Sequence, residues 1–314
     1  MFSKYKYVYA VYEEENFTRA AKKLFISQPS LSAAIKNVEK KVGAPLFERY
    51  GNGAKLTEVG REYIAATEKI MRTEKEFVNR LNDIYSLESG HISVGGTNYL
   101  SSYVLPGVIT RFSELYPKIE VTIEEAKSKN LIEMIENEQI DIVVDSFDET
   151  MDTYRGYPLV NERILLCVPS NRPINNSLKK YQISPDSIYN GSSKLESVAS
   201  VPIEVFGDEK FILLKNGNDM YERAMTIFSK SNVSPKVLFS VDQMNISYSL
   251  AESGMGLCFA TDTFFKYGKF QNNVVLYNVG EEHCSRTLYI AHKKNKYCSK
   301  AMAEFIRIAK EVVK

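Results

Sequence analysis

Apolar positions near the start of the chain recur at helical spacing in three short runs, the second and third each opened by a small polar residue. Tyr5, Val8, Tyr9 and Tyr12 share one face of a helix over residues 5–14. Asn16 stands where an N-cap belongs, before Phe17, Ala20, Ala21 and Leu24, and the two alanines leave room for a following helix to approach closely. After a break at Phe25 and Ile26, Ser27 is placed to cap a third helix, with Pro29 in its first turn and Gly43 beyond its last. Its apolar stripe reads Leu31, Ala34 or Ile35, Val38 and Val42; its other face carries Gln28, Ser30, Ser32, Ala33, Lys36, Asn37 and Lys40. Pro45, Leu46 and Phe47 return to apolar character, and Glu48 to Thr57 predicts a hairpin with Gly51, Asn52 and Gly53 at its tip and Arg49 and Lys55 flanking it.

From Glu58 to Glu88 there is no proline and one glycine, which predicts a long helix capped by Thr57. Tyr63, Ile70, Phe77 and Ile84 recur every seven residues with Leu81 between the last two, the pattern of a seam for a second helix. Thr67 and Glu74 interrupt the seam, so a helix lying on its own domain fits the same residues. After Ser89 and Gly90 strand and helix patterns alternate: strands at 92–96, 119–123 and 140–144, with helices at 101–116 and 131–137 between them. The alternation recurs from a strand at 164–168, through strands at 211–214 and 236–239 and helices at 219–229 and 244–253, to an apolar segment at 254–259. A strand at 288–291 and a helix at 299–313 close the chain. Such alternation predicts parallel sheets covered by helices, in two lobes with a cleft beyond the strand ends. The final strand and helix are expected to return to the first lobe. The polar run from Pro173 to Pro202 reads as a solvated insertion, a lid or a subunit contact.

Composition narrows the chemistry. The net charge is +1, but residues 1–62 hold eleven Lys and Arg against seven Glu, a local tilt toward a polyanion. Cys167, Cys258, Cys284 and Cys298 and the histidines His91, His283 and His292 form no metal-ligand spacing, which predicts reduced thiols, a redox pair being the lesser alternative. No Cys/His nucleophile pair or phosphate loop is visible, and Asp141 or Asp145 at a strand end does not make acid–base chemistry, so neither enzyme activity nor a cofactor is expected. Gly254-Met255-Gly256 is too short for a dinucleotide fingerprint and fits a helix end. No stretch reaches the roughly 20 apolar residues of a membrane span, and the first residues lack a signal-peptide core, so a cytoplasmic location is expected.

The exposed face of the third helix suits a major groove, Gln and Ser meeting base edges while Lys and the helix N-terminus meet phosphate. An ordinary helical hairpin with a solvated polar face has the same pattern. The residues Phe17 to Ala21, Leu24, Ser27 to Ser32, Ile35, Glu39, Gly43, Leu46 to Arg49 and Leu56 to Gly60 resemble the winged helix-turn-helix of LysR-type transcriptional regulators. The family often has Ser where Asn16 stands, and Arg or Gln where Ala33 and Ala34 stand. The resemblance continues through Ile92 to Gly95, Leu105-Pro106, Phe112, Tyr116-Pro117, Ile140-Asp141 and Gly254 to Gly256, which are similar to that family's effector domain, itself similar to periplasmic solute-binding proteins.

The resemblance implies a winged helix-turn-helix over 1–57, a dimerisation helix over 58–88 and a two-lobed α/β effector domain over 89–314. The first lobe is expected at about 89–163 and 266–314, the second at about 164–265. Candidate DNA contacts are Thr18, Arg19, Ser27, Gln28, Pro29, Ser30, Ser32, Ala33, Lys36, Arg49 and Lys55; candidate seam residues are Tyr63, Ile70, Phe77, Leu81 and Ile84. Carried over by position, the effector pocket points to Thr97, Asn98, Tyr99, Ser101, Ser128, Ser146, Lys215, Asn216 and Met244, which suit a small polar or carboxylate ligand. Ser146 stands where some members carry Arg, which argues against a strongly anionic one. Implied partners are double-stranded promoter DNA with an inverted repeat, a second or further copies of the chain, and RNA polymerase. A solute-sensing protein without DNA output is the alternative, and it leaves the winged segment unexplained.

Overall fold

The computed structural model describes residues 4–50, 53–84, 90–146, 153–183, 188, 198–268, 273–280 and 284–313. They form two compact units, Met1–Leu81 and Asn82–Lys314.

In the first unit, α1 (Tyr5–Glu14), α2 (Phe17–Lys23) and α3 (Gln28–Val42) precede the strands β1 (Phe47–Tyr50) and β2 (Gly53–Leu56), and α4 (Glu58–Ile84) follows. Asn16 caps α2 by accepting amide hydrogen bonds from Thr18 (2.8 Å) and Arg19 (3.0 Å), and Ser27 caps α3 through the amide of Ser30 (3.3 Å). Gly43 takes a positive φ of 88° where a side chain would be strained. Thr57 caps α4 through the amide of Gly60 (2.9 Å). The buried residues of α1 are Tyr5, Val8, Ala10 and Val11, which share one core with Ala20, Ala21, Leu31 and Ile35, while Tyr12 is exposed outside it. In α3 both Ala34 and Ile35 are buried, so a long side chain at position 34 has no route to the surface, and of the two alanines only Ala33 faces out. Of the hairpin tip, Gly51 and Asn52 lie outside the described residues.

In the second unit ten strands make one continuous sheet of order β4-β3-β5-β12-β6-β10-β8-β9, with β11 on β6 and β7 on β11. The first lobe pairs β3 (Gly90–Gly96) in parallel with β4 (Ile119–Glu125) and β5 (Ile142–Asp145); the second pairs β8 (Lys210–Leu214) in parallel with β9 (Lys236–Val241) and β10 (Leu257–Thr261). Between these parallel groups run antiparallel strands, which the expectation of parallel sheets missed. β6 (Tyr154–Pro169) pairs through its first part with β12 (Ser285–Lys293) and through its last part with β10 and with β11 (Val274–Asn278). Strands that carry the chain from one lobe to the other and back oppose each other's direction. The return also falls later than residue 266: β11 still pairs with Leu165–Pro169 in the second lobe, and only β12 rejoins the first.

Helices α5 (Leu105–Leu115), α6 (Ser128–Glu136), α7 (Asp219–Lys230), α8 (Met244–Glu252), α9 (Asp262–Tyr267) and α10 (Lys300–Val312) cover this sheet. Each turns one apolar face inward, as Val108 and Phe112 of α5 and Phe305 and Ile308 of α10 do in the main core. The polar segment after Pro173 is anchored: β7 (Gln182–Ile183) pairs with β11, and the hydroxyl of Tyr277 donates to Asn175 Oδ1 (2.8 Å). Residues 184–187 and 189–197 lie outside the described residues. Cys167 and Cys258 face each other across β6 and β10 as free, buried thiols, and burial with the neighbouring sulfur pushes the Cys167 thiol well up.

Candidate DNA-reading face and effector cleft

The N-terminal end of α3 is presented as its cap and proline require. Ser30 and Ala33 are exposed, Lys36 and Asn37 continue the same face one turn on, and none joins the core behind Leu31 and Ile35. Gln28 is half-buried and its amide donates to Ser32 Oγ (3.0 Å), which holds it along the helix. Ser27 and Ser30 share a hydroxyl contact of 2.7 Å. Thr18 is exposed on α2; Arg19 also lies at the surface but turns back, donating to the carbonyl of Glu14 and sitting 3.7 Å from its carboxylate. Lys55 of β2 is exposed beside the Tyr50 ring (5.7 Å), and Arg49 is in β1, paired in register with Ala54.

The expected seam on α4 divides in two. Tyr63 is 5% exposed and belongs to the domain's own core with Ile64, and Ile70 packs against that core. Thr67 is fully buried, and Glu74 accepts the hydroxyl of Tyr5. The first half of the repeat is therefore used within the chain. Farther along, Phe77 (61% exposed), Val78 and Leu81 face out. The side chain of Ile84 lies outside the described residues.

In the second unit the cleft opens at the C-terminal ends of β3, β4, β5, β8 and β9, where the two lobes face each other. An outer chamber of about 200 Å³ is lined by Thr97, Asn98 and Ser128 from one lobe and by Lys215, Asn216 and Gln243 from the other. It joins an inner chamber of about 40 Å³ that reaches Tyr99, Asp145, Met244 and Arg286. Two of the expected residues point elsewhere. Ser101 donates to the carbonyl of Gly96 (3.1 Å), because it sits in the π-helical turn Leu100–Val104 that leads into α5. Ser146, just past β5, approaches Asp219 at 3.5 Å and lines neither chamber. Tyr99 is buried, its hydroxyl donating to Glu162.

What sequence reading missed is the charge beneath the cleft. Arg286 of β12 is 6% exposed and pairs with Glu162 (2.7 Å) and Asp219 (2.6 Å); Glu162 also accepts the hydroxyls of Thr261 (3.2 Å) and Thr263. Burial alone would lower the Arg286 pKa, but Glu162 and Asp219 outweigh it and raise it. Arg223 holds the other side of Asp219 (3.0 Å); the two guanidinium groups overcome burial and lower the Asp219 pKa. At the rim Asp242, on the second lobe, pairs with Lys215 (2.6 Å) and across the cleft with Lys127 (3.1 Å). Those hydrogen bonds lower the Asp242 pKa. Among the described residues no His, Cys, Asp and Glu group could hold a metal ion.

A winged helix-turn-helix followed by a long helix and a two-lobed cleft defines a DNA-binding regulator with a ligand-sensing domain. The comparisons specify the class. A family model described as a bacterial regulatory helix-turn-helix protein of the lysR family matches residues 2–61, and one described as a LysR substrate binding domain matches residues 86–314. The chain belongs to the LysR family and is a DNA-binding transcriptional regulator, not an enzyme. It is 27% identical over 314 residues to the uncharacterized HTH-type transcriptional regulator YcgK of Bacillus subtilis (strain 168), covering 98% of this chain and 94% of that one. Its fold is similar to that of full-length CbnR complexed with target DNA, with a TM-score of 0.69 at 16% identity and 99% of each chain covered. It is also similar to the effector binding domain of QuiR in complex with shikimate, with a TM-score of 0.55 at 20% identity over 72% of this chain and 97% of that one.

Proposed function

We propose that the protein is a cytoplasmic homodimer or homotetramer that reads an inverted repeat in promoter DNA and changes its grip when a small polar effector enters the cleft. The observation that carries this reading is the exposed N-terminal face of α3, small, polar and basic, held by a cap at Ser27 and by the Gln28–Ser32 hydrogen bond (3.0 Å). A helix end so presented enters a major groove. In this reading residues 1–57 bind DNA, 58–88 pair with a second copy, and 89–314 sense the effector. Gln28, Ser30 and Ser32 read bases while Lys36, Arg49 and Lys55 meet phosphates. Full-length CbnR complexed with target DNA gives DNA binding a precedent, and the effector binding domain of QuiR in complex with shikimate gives one for a small-molecule effector. An effector that binds the closed lobes better than the open ones shifts their angle and thereby the spacing of the paired DNA-binding domains and polymerase recruitment.

Selection of bound duplexes from a random library at near-physiological salt tests this. Enrichment of an inverted repeat is expected; binding that vanishes with rising salt and enriches nothing would refute it. On the selected site, Gln28→Ala should lose about 1–3 kcal/mol of discrimination at one base position. Lys36→Ala and Arg49→Ala should weaken all sequences alike and lower the salt slope by about one. Equal effects of all three on random DNA would overturn that division of roles.

A further inference from the structure

Within the cleft, the cations are already committed. Arg286 is held by Glu162 (2.7 Å) and Asp219 (2.6 Å), and Arg223 by Asp219 (3.0 Å). Lys127 (3.1 Å) and Lys215 (2.6 Å) share Asp242. Asp145, at the end of β5, is 3% exposed and has no such partner. Its Oδ1 accepts the amide of Ser146 (2.8 Å); the Ser128 hydroxyl lies near enough to the carboxylate to stabilise its charge, but the buried Oδ2 makes no hydrogen bond of good geometry among the described residues. Burial raises the carboxyl's pKa against the pull of the Ser128 hydroxyl, Arg286 and the Ser146 amide, and the charge of Asp219 adds to the rise. A second acceptor is orphaned on another residue of the same chamber. Asn98 donates through Nδ2 to Glu125 (3.1 Å), which turns its Oδ1 away, buried and without a partner. Both residues line the inner chamber of about 40 Å³.

Two buried acceptors, one of them anionic, on residues that line one small chamber call for a group with several acidic protons and a positive charge. The outer chamber asks for the opposite. It is bordered by the N-terminal ends of α6 and α8, whose N-cap residues Lys127 and Gln243 make no side-chain cap; the amide of Ile246 is taken by Asn245 Oδ1 (2.9 Å), and the leading amide N–H groups of α6 and those of Met244 and Asn245 are available to an anion. We propose that the effector is an amino carboxylate whose ammonium group sits on Asp145 and Asn98 and whose carboxylate faces the uncapped helix ends. This deepens the effector reading of the cleft and rests on it. The ligand's charge is thus zwitterionic, and a carboxylate alone leaves the inner chamber unsatisfied.

The test uses the full-length protein with three sets of probes: the standard L-amino acids, their 2-hydroxy-acid counterparts and their decarboxylated amines. Thermal unfolding and titration calorimetry are expected to find at least one amino acid that binds, with its hydroxy acid weaker by roughly tenfold or more. Asp145→Asn should reduce that affinity by a similar factor while raising the melting temperature of the unliganded protein, since it removes an unpaired charge. Asn98→Ala, at a half-buried position, should weaken binding in the same sense, and retained affinity for the selected DNA shows that both variants are folded. A hydroxy acid bound as tightly as its amino acid and indifferent to Asp145→Asn would overturn the ammonium seat and leave the effector cleft standing. Failure of every probe would also overturn the proposal, whereas the regulatory reading is judged separately by the library selection.

Discussion

Asp262 opens α9, and its carboxylate accepts the amides of Arg163 (2.8 Å) and Thr263 (2.8 Å). Burial nevertheless pushes its pKa up to about 6, and the nearby charge of Glu162 works in the same direction against those amides. The folded state then holds a proton that the unfolded chain, near 3.8, has released. Stability therefore falls as pH rises from about 4 to 6 and stays lower above, by at most about 3 kcal/mol. Asp262→Asn keeps the acceptor for both amides and removes the charge. Melting curves should show the variant more stable than the parent at pH 7 and equal to it near pH 4; parallel curves at all pH values would contradict the assignment. Nothing in the sequence marks Asp262 or its neighbours. Glu162 and Arg286 lie 124 positions apart, and only the crossing of β6 and β12 brings them together. Thr97 and Asn98 line the cleft because they directly follow β3, where ligands of such sheets collect. Ser101, five residues past β3, and Ser146, one past β5, do not, because the turn that follows each strand sets where such a side chain points.

Boundaries of elements were legible wherever a cap marks them. Asn16, Ser27, Gly43 and Thr57 each stand where the hydrogen bonds or the positive φ of the helix end place them. Strands without alternation were not. The first part of β6, Tyr-Arg-Gly-Tyr-Pro-Leu-Val-Asn-Glu-Arg, carries glycine, proline and charge, and its ladder tolerates Pro158 beside a register shift between Leu288 and Tyr289. The start of α4 depends on one residue. A Cβ on Gly60 would lie 2.1 Å from the carbonyl oxygen of Leu46, a backbone atom that cannot give way without moving β1. Gly60→Ala should destabilise the N-terminal unit by about 1–3 kcal/mol, seen as an earlier unfolding transition and weaker DNA binding. An unchanged melting curve would mean that α4 meets the wing less closely.

For the whole molecule, the half of α4 left unused by its own core is the surface on which the dimer proposed above depends. Phe77, Val78 and Leu81 face out in a single chain. Phe77→Glu should shift sedimentation toward monomer and cut affinity for the inverted repeat more than for a half-site, and an unchanged dimer would move the seam elsewhere. The effector unit has a different mechanical character. β6 runs without a break from its pairing with β12 to its pairing with β10 and β11, so one ribbon of backbone belongs to both lobes. A loop between two bodies swivels almost freely; a laddered ribbon resists like a leaf spring. Its relaxed curvature gives the empty cleft a preferred gape, and closing requires elastic work that grows with the angle. Two molecules that fill the cleft equally tightly can therefore differ as signals, the one that flexes the spring being heard and the one that merely fits being silent.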